Sequence, residues 1–364
     1  MTVREVTSIL ESFAPLAFQE VYDNSGLIVG DANMEVTGVL LTIDVTPQVV
    51  AEAVEGGANL IVAHHPVIFK GLKRITGKSY VEQVVVNAIK NNIAIYAAHT
   101  NIDSVQGGVS FKMAEVLGLT STQVLSPLTG QLVKLVTFVP TEYAEAVRQA
   151  MFNAGAGVIG NYDSCSFNIQ GQGTFRAGDG TNPFVGEKGK IHFEPEVRVE
   201  TIVPRHILNA VVKAMVEAHP YEEVAYDVYP LDLPYKKAGL GVVGNLPEPM
   251  NTIDFVKHVK QQFRAPSVRY TNPVKEFISR VAICGGSAIS LLNDAIAANA
   301  DVFITADVKY HQFFDAENRI VILDIGHFES EQFTIDIFYD LLSKKISNFA
   351  VLKSKVRTNP INYI

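Results

Sequence analysis

The chain has 364 residues, which exceeds most single compact domains and leads us to expect two or three structural units. Apolar residues make up 48% and charged residues 19%, the balance of a globular chain with an ample core, not of a disordered or fibrous one. A net charge of -8 with no basic run argues against nucleic acid as a partner, and no segment reaches the roughly 18 uninterrupted apolar residues of a membrane span.

At the N-terminus, MTVREVTSILESF carries Arg4, Glu5 and Glu11 where a signal peptide would be apolar, so no export is expected. The periodicity then predicts a buried strand at Val39 to Ile43, a helix opening on a proline over Pro47 to Glu55, and a second strand at Asn59 to Ala63 that ends at His64-His65-Pro66. A further strand, Ile93 to Ala97, ends before His99-Thr100-Asn101-Ile102-Asp103. The last third of the chain repeats this order. Arg280 to Cys284, Ile289 to Ala298 and Asp301 to Thr305 read as strand, helix and strand, and the frames match without a gap from Ala53 and Ala295 onward, setting His65 opposite Asp307. Val321 to Ile325 is the second copy of the last strand, followed by His327-Phe328-Glu329-Ser330-Glu331. His-x-x-x-acid thus occurs twice at equivalent places. Strands alternating with helices imply a mostly parallel sheet whose ligands gather at the carboxyl ends of the strands.

Between the halves, from about Leu125 to about Pro234, the texture changes. Strands are expected at Leu132 to Val139, Arg198 to Val203 and Glu223 to Tyr229, with helices at Glu142 to Ala154 and Ile207 to Ala218, an α+β sandwich inserted into the duplicated core. The glycine-rich run Gly171 to Gly189 reads as a loop or hairpin and lacks the GxxxxGK[ST] spacing of a phosphate-binding loop. The expected organisation is therefore an α/β fold with core halves at 1–125 and 236–364 and an inserted domain at 126–235. The only cysteines, Cys165 and Cys284, are far apart and lack a CxxC spacing, so neither a disulfide framework nor a thiolate zinc site is indicated and a reducing, cytoplasmic setting is expected.

Imidazole and carboxylate are the usual ligands of zinc, manganese and iron, and two neighbouring ions need a carboxylate able to bridge them. Five of the nine histidines, namely His64, His65, His99, His311 and His327, fall just after strands of the duplicated halves. A lone histidine there is more often a hydrogen-bonded structural residue, but the coincidence of five favours a dinuclear site. A tight turn forced by Pro66 would aim His64 and His65 at one cavity, with Asp103 and Glu331 supplying bridging or capping oxygens. In each His-x-x-x-acid unit, one helical turn would bring imidazole and carboxylate to one face. His99 suits orientation of a ligand or proton transfer. Asp307 and His311 are balanced between metal binding and loop capping, and Gly285-Gly286-Ser287 carries only a weak anion-cradle signal.

Taken together, Tyr22-Asp23-Asn24-Ser25-Gly26-Leu27, Ala63-His64-His65-Pro66, His99 to Asp103, Thr305-Ala306-Asp307 and Gly326 to Glu331 resemble the GTP cyclohydrolase I type 2 homologue family, also called NIF-three-like. The resemblance spans nearly the whole chain. It implies a dinuclear site formed by His64, His65, Asp103, His327 and Glu331, and an insert similar to PII and CutA-like domains, with Ala218-His219-Pro220-Tyr221-Glu222-Glu223 matching well. It also implies a toroidal homohexamer built as a trimer of dimers. Tyr22 stands where the family pattern has tryptophan, and Ala306 where glycine is common; neither is an expected ligand. The expected activity is metal-dependent hydrolysis of a small molecule, nucleotide-like by the family name, which implies opening of the GTP ring, with His99 moving the proton. Two non-catalytic readings compete with it, a metal- or metabolite-responsive binding protein and a metal chaperone.

Overall fold

Thr2 stands three residues before Glu5. In the computed structural model of the chain, which describes residues 1–364, the pair closes a capping box that opens helix α1 (Val3–Phe13), each residue's backbone N–H donating to the other's side chain. Strand β1 (Gly26–Val29) follows, then β2 (Gly38–Thr42), all five of whose residues are buried. Helix α2 (Pro47–Glu55) begins behind the Thr46 cap with Pro47 in its first turn, where a backbone N–H would have no helical partner. Next come β3 (Leu60–Ala63), α3 (Tyr80–Lys90), β4 (Ala94–Ala97), the short α4 (Thr100–Asp103), α5 (Val109–Val116) and β5 (Thr120–Leu128). Strands β2, β3 and β4 pair in parallel, and β1 joins β4 antiparallel. Their continuous apolar sequences are what a sheet covered on both faces requires. Ile61, Ile95 and Leu40 pack on Val49, Ala53, Val84 and Ala88 of the two helices.

Residues Leu128–Tyr235 form a separate compact unit, the remainder of the chain forming the other. This unit runs β6 (Leu132–Pro140), α6 (Ala144–Asn153), β7 (Ser166–Arg176), β8 (Ile191–Pro204), α7 (Leu208–Ala218) and β9 (Tyr226–Leu231). Its sheet is antiparallel throughout in the order β7-β8-β6-β9, the arrangement of a ferredoxin-like βαββαβ unit. Val133, Leu135 and Val139 of β6 meet Val147 and Met151 of α6 and Val211 and Met215 of α7. Of the two readings of the glycine-rich run, loop or hairpin, the structure shows the hairpin: residues 171–176 are the end of β7, paired with β8 as far as Arg176 opposite Ile191, and the residues after them form the connection. Nearly all of β7 is solvent-accessible, Phe167 and Ile169 included, so no apolar alternation marks it in the sequence.

After β10 (Tyr235–Asn251) come α8 (Thr252–Gln262), β11 (Arg269–Tyr270), β12 (Phe277–Ile283), α9 (Leu292–Ala297), β13 (Val302–Thr305), β14 (Val321–Asp324), α10 (His327–Glu331), α11 (Thr334–Ser343) and β15 (Ala350–Lys353). Strands β12, β13 and β14 are parallel with β11 antiparallel on β14, the same arrangement as in the first half. The closing strand of each half then crosses over. β15 pairs in parallel with β2, and β5 lies beside β10 at the edge of the other sheet. The resulting sheets run β1-β4-β3-β2-β15 and β11-β14-β13-β12-β10-β5. His64, His99 and His327 thereby stand just beyond the carboxyl ends of β3, β4 and β14. No helix is long and apolar enough to cross a membrane, and both cysteines are free thiols.

Phe303 of β13 is fully buried among Ala282, Leu292, Ala295 and Ile322. Phe303→Ala should lower the unfolding free energy by about 3–5 kcal/mol through lost apolar burial and the cavity left behind, measured by urea denaturation.

Candidate metal centre

Two hydrogen bonds carry the β2–β3 pairing past the end of β3. His64 N–H donates to Thr42 O (3.2 Å) and His65 N–H to Ile43 O (2.9 Å), which holds both histidines on defined backbone. Their rings tilt toward each other with centroids 4.8 Å apart, while His99 lies 5.3 Å from each and His327 lies 5.2 Å from His65. The rings of His64, His65, His99 and His327 thus lie together in one cluster.

Every one of these rings is anchored through Nδ1. His64 Nδ1–H donates to Ala98 O at 3.0 Å, a carbonyl that can only accept, so Nε2 of the neutral ring carries a lone pair. His65 Nδ1 meets Asp44 Oδ1 at 2.8 Å, His99 Nδ1 meets Asp23 Oδ1 at 2.7 Å, and His327 Nδ1 meets Asp307 Oδ2 at 2.6 Å. Asp23 is in turn held by Ser25 Oγ and by the backbone N–H groups of Asn24 and Thr100. Partners of this kind fix tautomer and ring orientation in metal-binding histidines.

The inward faces converge on Glu331, whose side chain is almost fully buried. Its Oε1 lies 3.6 Å from His64 Nε2, and its Oε2 lies 3.1 Å from His65 Nε2 and 3.2 Å from His327 Nε2. These approaches are close but poorly aligned: Oε2 completes no hydrogen bond, and neither do the buried His64 Nε2 and Asp103 Oδ1. Asp103 stands 3.9 Å from His64 Nε2, farther out than the others. Ligand atoms of His64, His65 and His99 lie within 4.8 Å of one another, as do those of His65, His327 and Glu331. The two groups share His65. An unpaired buried polar atom costs about 1–3 kcal/mol, and three beside one another are what a cation would satisfy.

The charges within the cluster depend on one another. Burial drives His64 down toward the neutral form, against the pull of Glu331. At His65 burial is outweighed by the flanking Asp44 and Glu331, which hold the imidazolium up to about 9. At His327 burial is likewise outweighed, by Asp307 and Glu331, giving about 11. Burial would raise Glu331, but the facing imidazoles, His64 first, keep it ionised well below the usual carboxylate range. Burial and the charge of Glu331 push Asp103 well above it.

Helical turns deliver the acids in two different ways. His327 begins α10, so Glu331 returns on the same face one turn later. His99 precedes α4 as its cap residue, with non-helical backbone (φ -118°, ψ -110°), so its ring turns to Asp23 while Asp103 follows on the helix. Gly286 gives its N–H to Ser330 Oγ and seats Glu331: a Cβ there would collide with Oε1, and its φ is +63°. Asp307 anchors His327, whereas His311 is exposed against Tyr310 and stays out of the cluster. Asp44 was missed by sequence reasoning, although an acid two residues beyond β2, at the same sheet end as His64, was the available signal. Asp23 was visible as a motif letter without a role.

Fold and site together define an α/β protein with two parallel-cored sheets and an imidazole–carboxylate cluster able to hold metal. The chain belongs to the Duf34/NIF3 (NGG1p interacting factor 3) family, whose model matches residues 1–360. It is 41% identical over 364 residues to a GTP cyclohydrolase 1 type 2 homolog of Halalkalibacterium halodurans, covering 99% of this chain and 98% of that protein. A protein of the same name from Bacillus subtilis is 37% identical over 371 residues, with 99% and 98% covered. Among solved structures, a Bacillus cereus protein related to NIF3 is similar at 40% identity and a TM-score of 0.87, with 100% of this chain and 99% of that chain covered.

Gly286→Ala should destabilise the fold by more than Gly57→Ala. Both glycines have left-handed backbone, φ +63° and +67°, but nothing lies within 4 Å of a Cβ at Gly57. Gly57→Ala therefore carries only the roughly 1–2 kcal/mol of backbone strain, and the excess at Gly286 in paired urea melts reports the crowding of Glu331.

Proposed function

We propose that this protein holds two divalent metal ions, of the zinc, manganese or iron class, between His64, His65, Asp103, His327 and Glu331, and works as a metal-dependent hydrolase. The carrying observation is the set of buried atoms without partners, His64 Nε2, Asp103 Oδ1 and Glu331 Oε2, beside the His65, His327 and Glu331 donor group. The donor chemistry fits: imidazole and carboxylate suit all three metals, and a carboxylate is the group that bridges two. Bound ions would supply positive charge that polarises the bond under attack and acidifies water.

The chain's own residues do the rest. Asp44 and Asp307 hold His65 and His327 in orientation. Asp23 keeps His99 Nδ1 occupied, which leaves the opposite nitrogen to take a proton from an attacking group and return it to a leaving group. The substrate we infer is a small nucleotide-like molecule, a reading that leans on the name carried by the curated relatives. A cytoplasmic homohexamer, a trimer of dimers, and a PII/CutA-type identity for the inserted unit are what the resemblance of the sequence motifs implies, and the ferredoxin-like strand order of that unit agrees with the last of these. A second reading, a non-catalytic metal- or metabolite-responsive binding protein, draws its support from the separate cavity within that inserted unit.

Zinc or manganese titrated into chelator-stripped protein should bind at two ions per chain, and His65→Ala, which removes the residue common to both groups, should weaken both sites. The facing carboxylates hold the imidazoliums of His65 and His327 up, to about 9 and about 11, so metal binding there displaces protons. Apparent affinity should therefore rise as pH rises from 6 to 9, by about tenfold per displaced proton per pH unit, and calorimetry in buffers of different ionisation enthalpy should count at least about two protons released, from His65 and His327, with Asp103 adding to the count where it is protonated. Light scattering on the same sample should give six chain masses. Against nucleotide and phosphoester panels, metal-loaded protein should turn over a substrate and His99→Asn should lower kcat by about 10²–10⁴-fold with metal content unchanged. Two bound ions without turnover would favour the non-catalytic reading, and fewer than two would end the dinuclear one.

A further inference from the structure

The motif His219-Pro220-Tyr221-Glu222-Glu223 plays no part in the metal cluster, yet it builds a second site inside the inserted unit. His219 is buried and bridges two elements: its Nε2–H donates to Phe138 O at the end of β6 (3.0 Å), and its Nδ1 accepts from Tyr221 N–H (3.1 Å). The bridge sets Tyr221 and Phe138 on one wall of a cavity of about 480 Å3, within the size range of small-molecule pockets. Phe175 and Phe184 complete an aromatic lining, their rings 6.0 and 6.3 Å from that of Tyr221.

Glu196 of β8 lies in this wall with 8% of its surface exposed. Its carboxylate occupies the space left by Gly173 on β7, where any Cβ would collide with Oε2. Oε1 accepts from Tyr221 Oη at 3.0 Å, which is the only hydrogen bond the carboxylate receives. No cation pairs with it. The neighbouring Arg198 is committed to Glu200 at 2.8 Å and stacks on Phe138 at 5.9 Å. A carboxylate buried to this degree ordinarily has a charged partner. The remaining charges of the lining do not supply one: Glu222 and Glu223 add negative charge, and the single basic residue, Arg176, is exposed and forms no ion pair.

We propose that this cavity is a binding site for a small organic molecule bearing a primary ammonium group, which donates to Glu196 Oε2 while the aromatic rings face the cation and its apolar body. The open acceptor calls for an N–H donor, and an aromatic lining favours a cation over a neutral group of the same shape. The site is independent of the metal reading, since none of its residues belongs to the metal cluster.

The probe is 2-phenylethylammonium, compared with its neutral counterpart 2-phenylethanol, titrated into the full chain and followed by calorimetry and by tyrosine fluorescence. The ammonium should bind saturably, at least tenfold tighter than the alcohol, and Glu196→Gln should remove that preference while Glu223→Gln keeps it. Equal affinity for both probes, no saturable binding of the ammonium, or an unchanged preference in a folded Glu196→Gln protein would overturn the proposal. If Glu196→Gln fails to fold, the comparison of the two probes on the unmodified chain decides it.

Discussion

The organisation of the larger unit depends on one buried carboxylate. Glu331 sits almost out of reach of water with three imidazoles within 3.6 Å, and their electrostatics are mutually determined: the acid stays ionised because the rings face it, and His65 and His327 hold protons because the acid is there. Neither partner would be tolerable at this depth alone. A missing Cβ at Gly286 makes the space, and Ser330, beside Glu331, accepts Gly286 N–H at 2.9 Å, so backbone and side chain brace the same corner.

That corner exists because two similar halves place like elements at like positions. The first half brings His64 and His65 from β3 and His99 from β4, and the second brings His327 and Glu331 from the turn after β14. The exchange of closing strands, β15 onto the first sheet and β5 onto the second, ties each half to the other and gives the cluster walls from distant stretches of chain. The C-terminal segment extends the tie: Thr358 Oγ1 donates to Asp44 Oδ2 at 2.7 Å, on the same carboxylate that orients His65.

The inserted unit follows a different physical plan. Its antiparallel sheet is covered by helices on one face only: β8 alternates between more and less buried residues, and β7 is largely exposed on both faces. An uncovered sheet face with a glycine in it can hold a polar side chain flat against the backbone, and Glu196 over Gly173 uses that freedom. Parallel strands packed on both faces, as in the larger unit, confine their polar chemistry to the strand ends.

Much of this was legible in the chain itself. Continuous apolar runs followed by histidine marked β3, β4 and β14, because buried parallel strands leave no polar side chains until the carboxyl end, and a frame repeated without gaps disclosed the duplication. The pairing of His64 with His65, and of His327 with Glu331 one helical turn later, could be read from spacing, since both are local. Asp44 and Asp23 as anchors, the exclusion of His311, and the seating of Glu331 on Gly286 could not, because each depends on which segments meet after folding, from 20 to more than 70 residues apart. The glycine-rich run could be read as loop or hairpin but not decided between them, for the complementary reason: with no buried face, nothing in its composition records the pairing that only the tertiary structure decides.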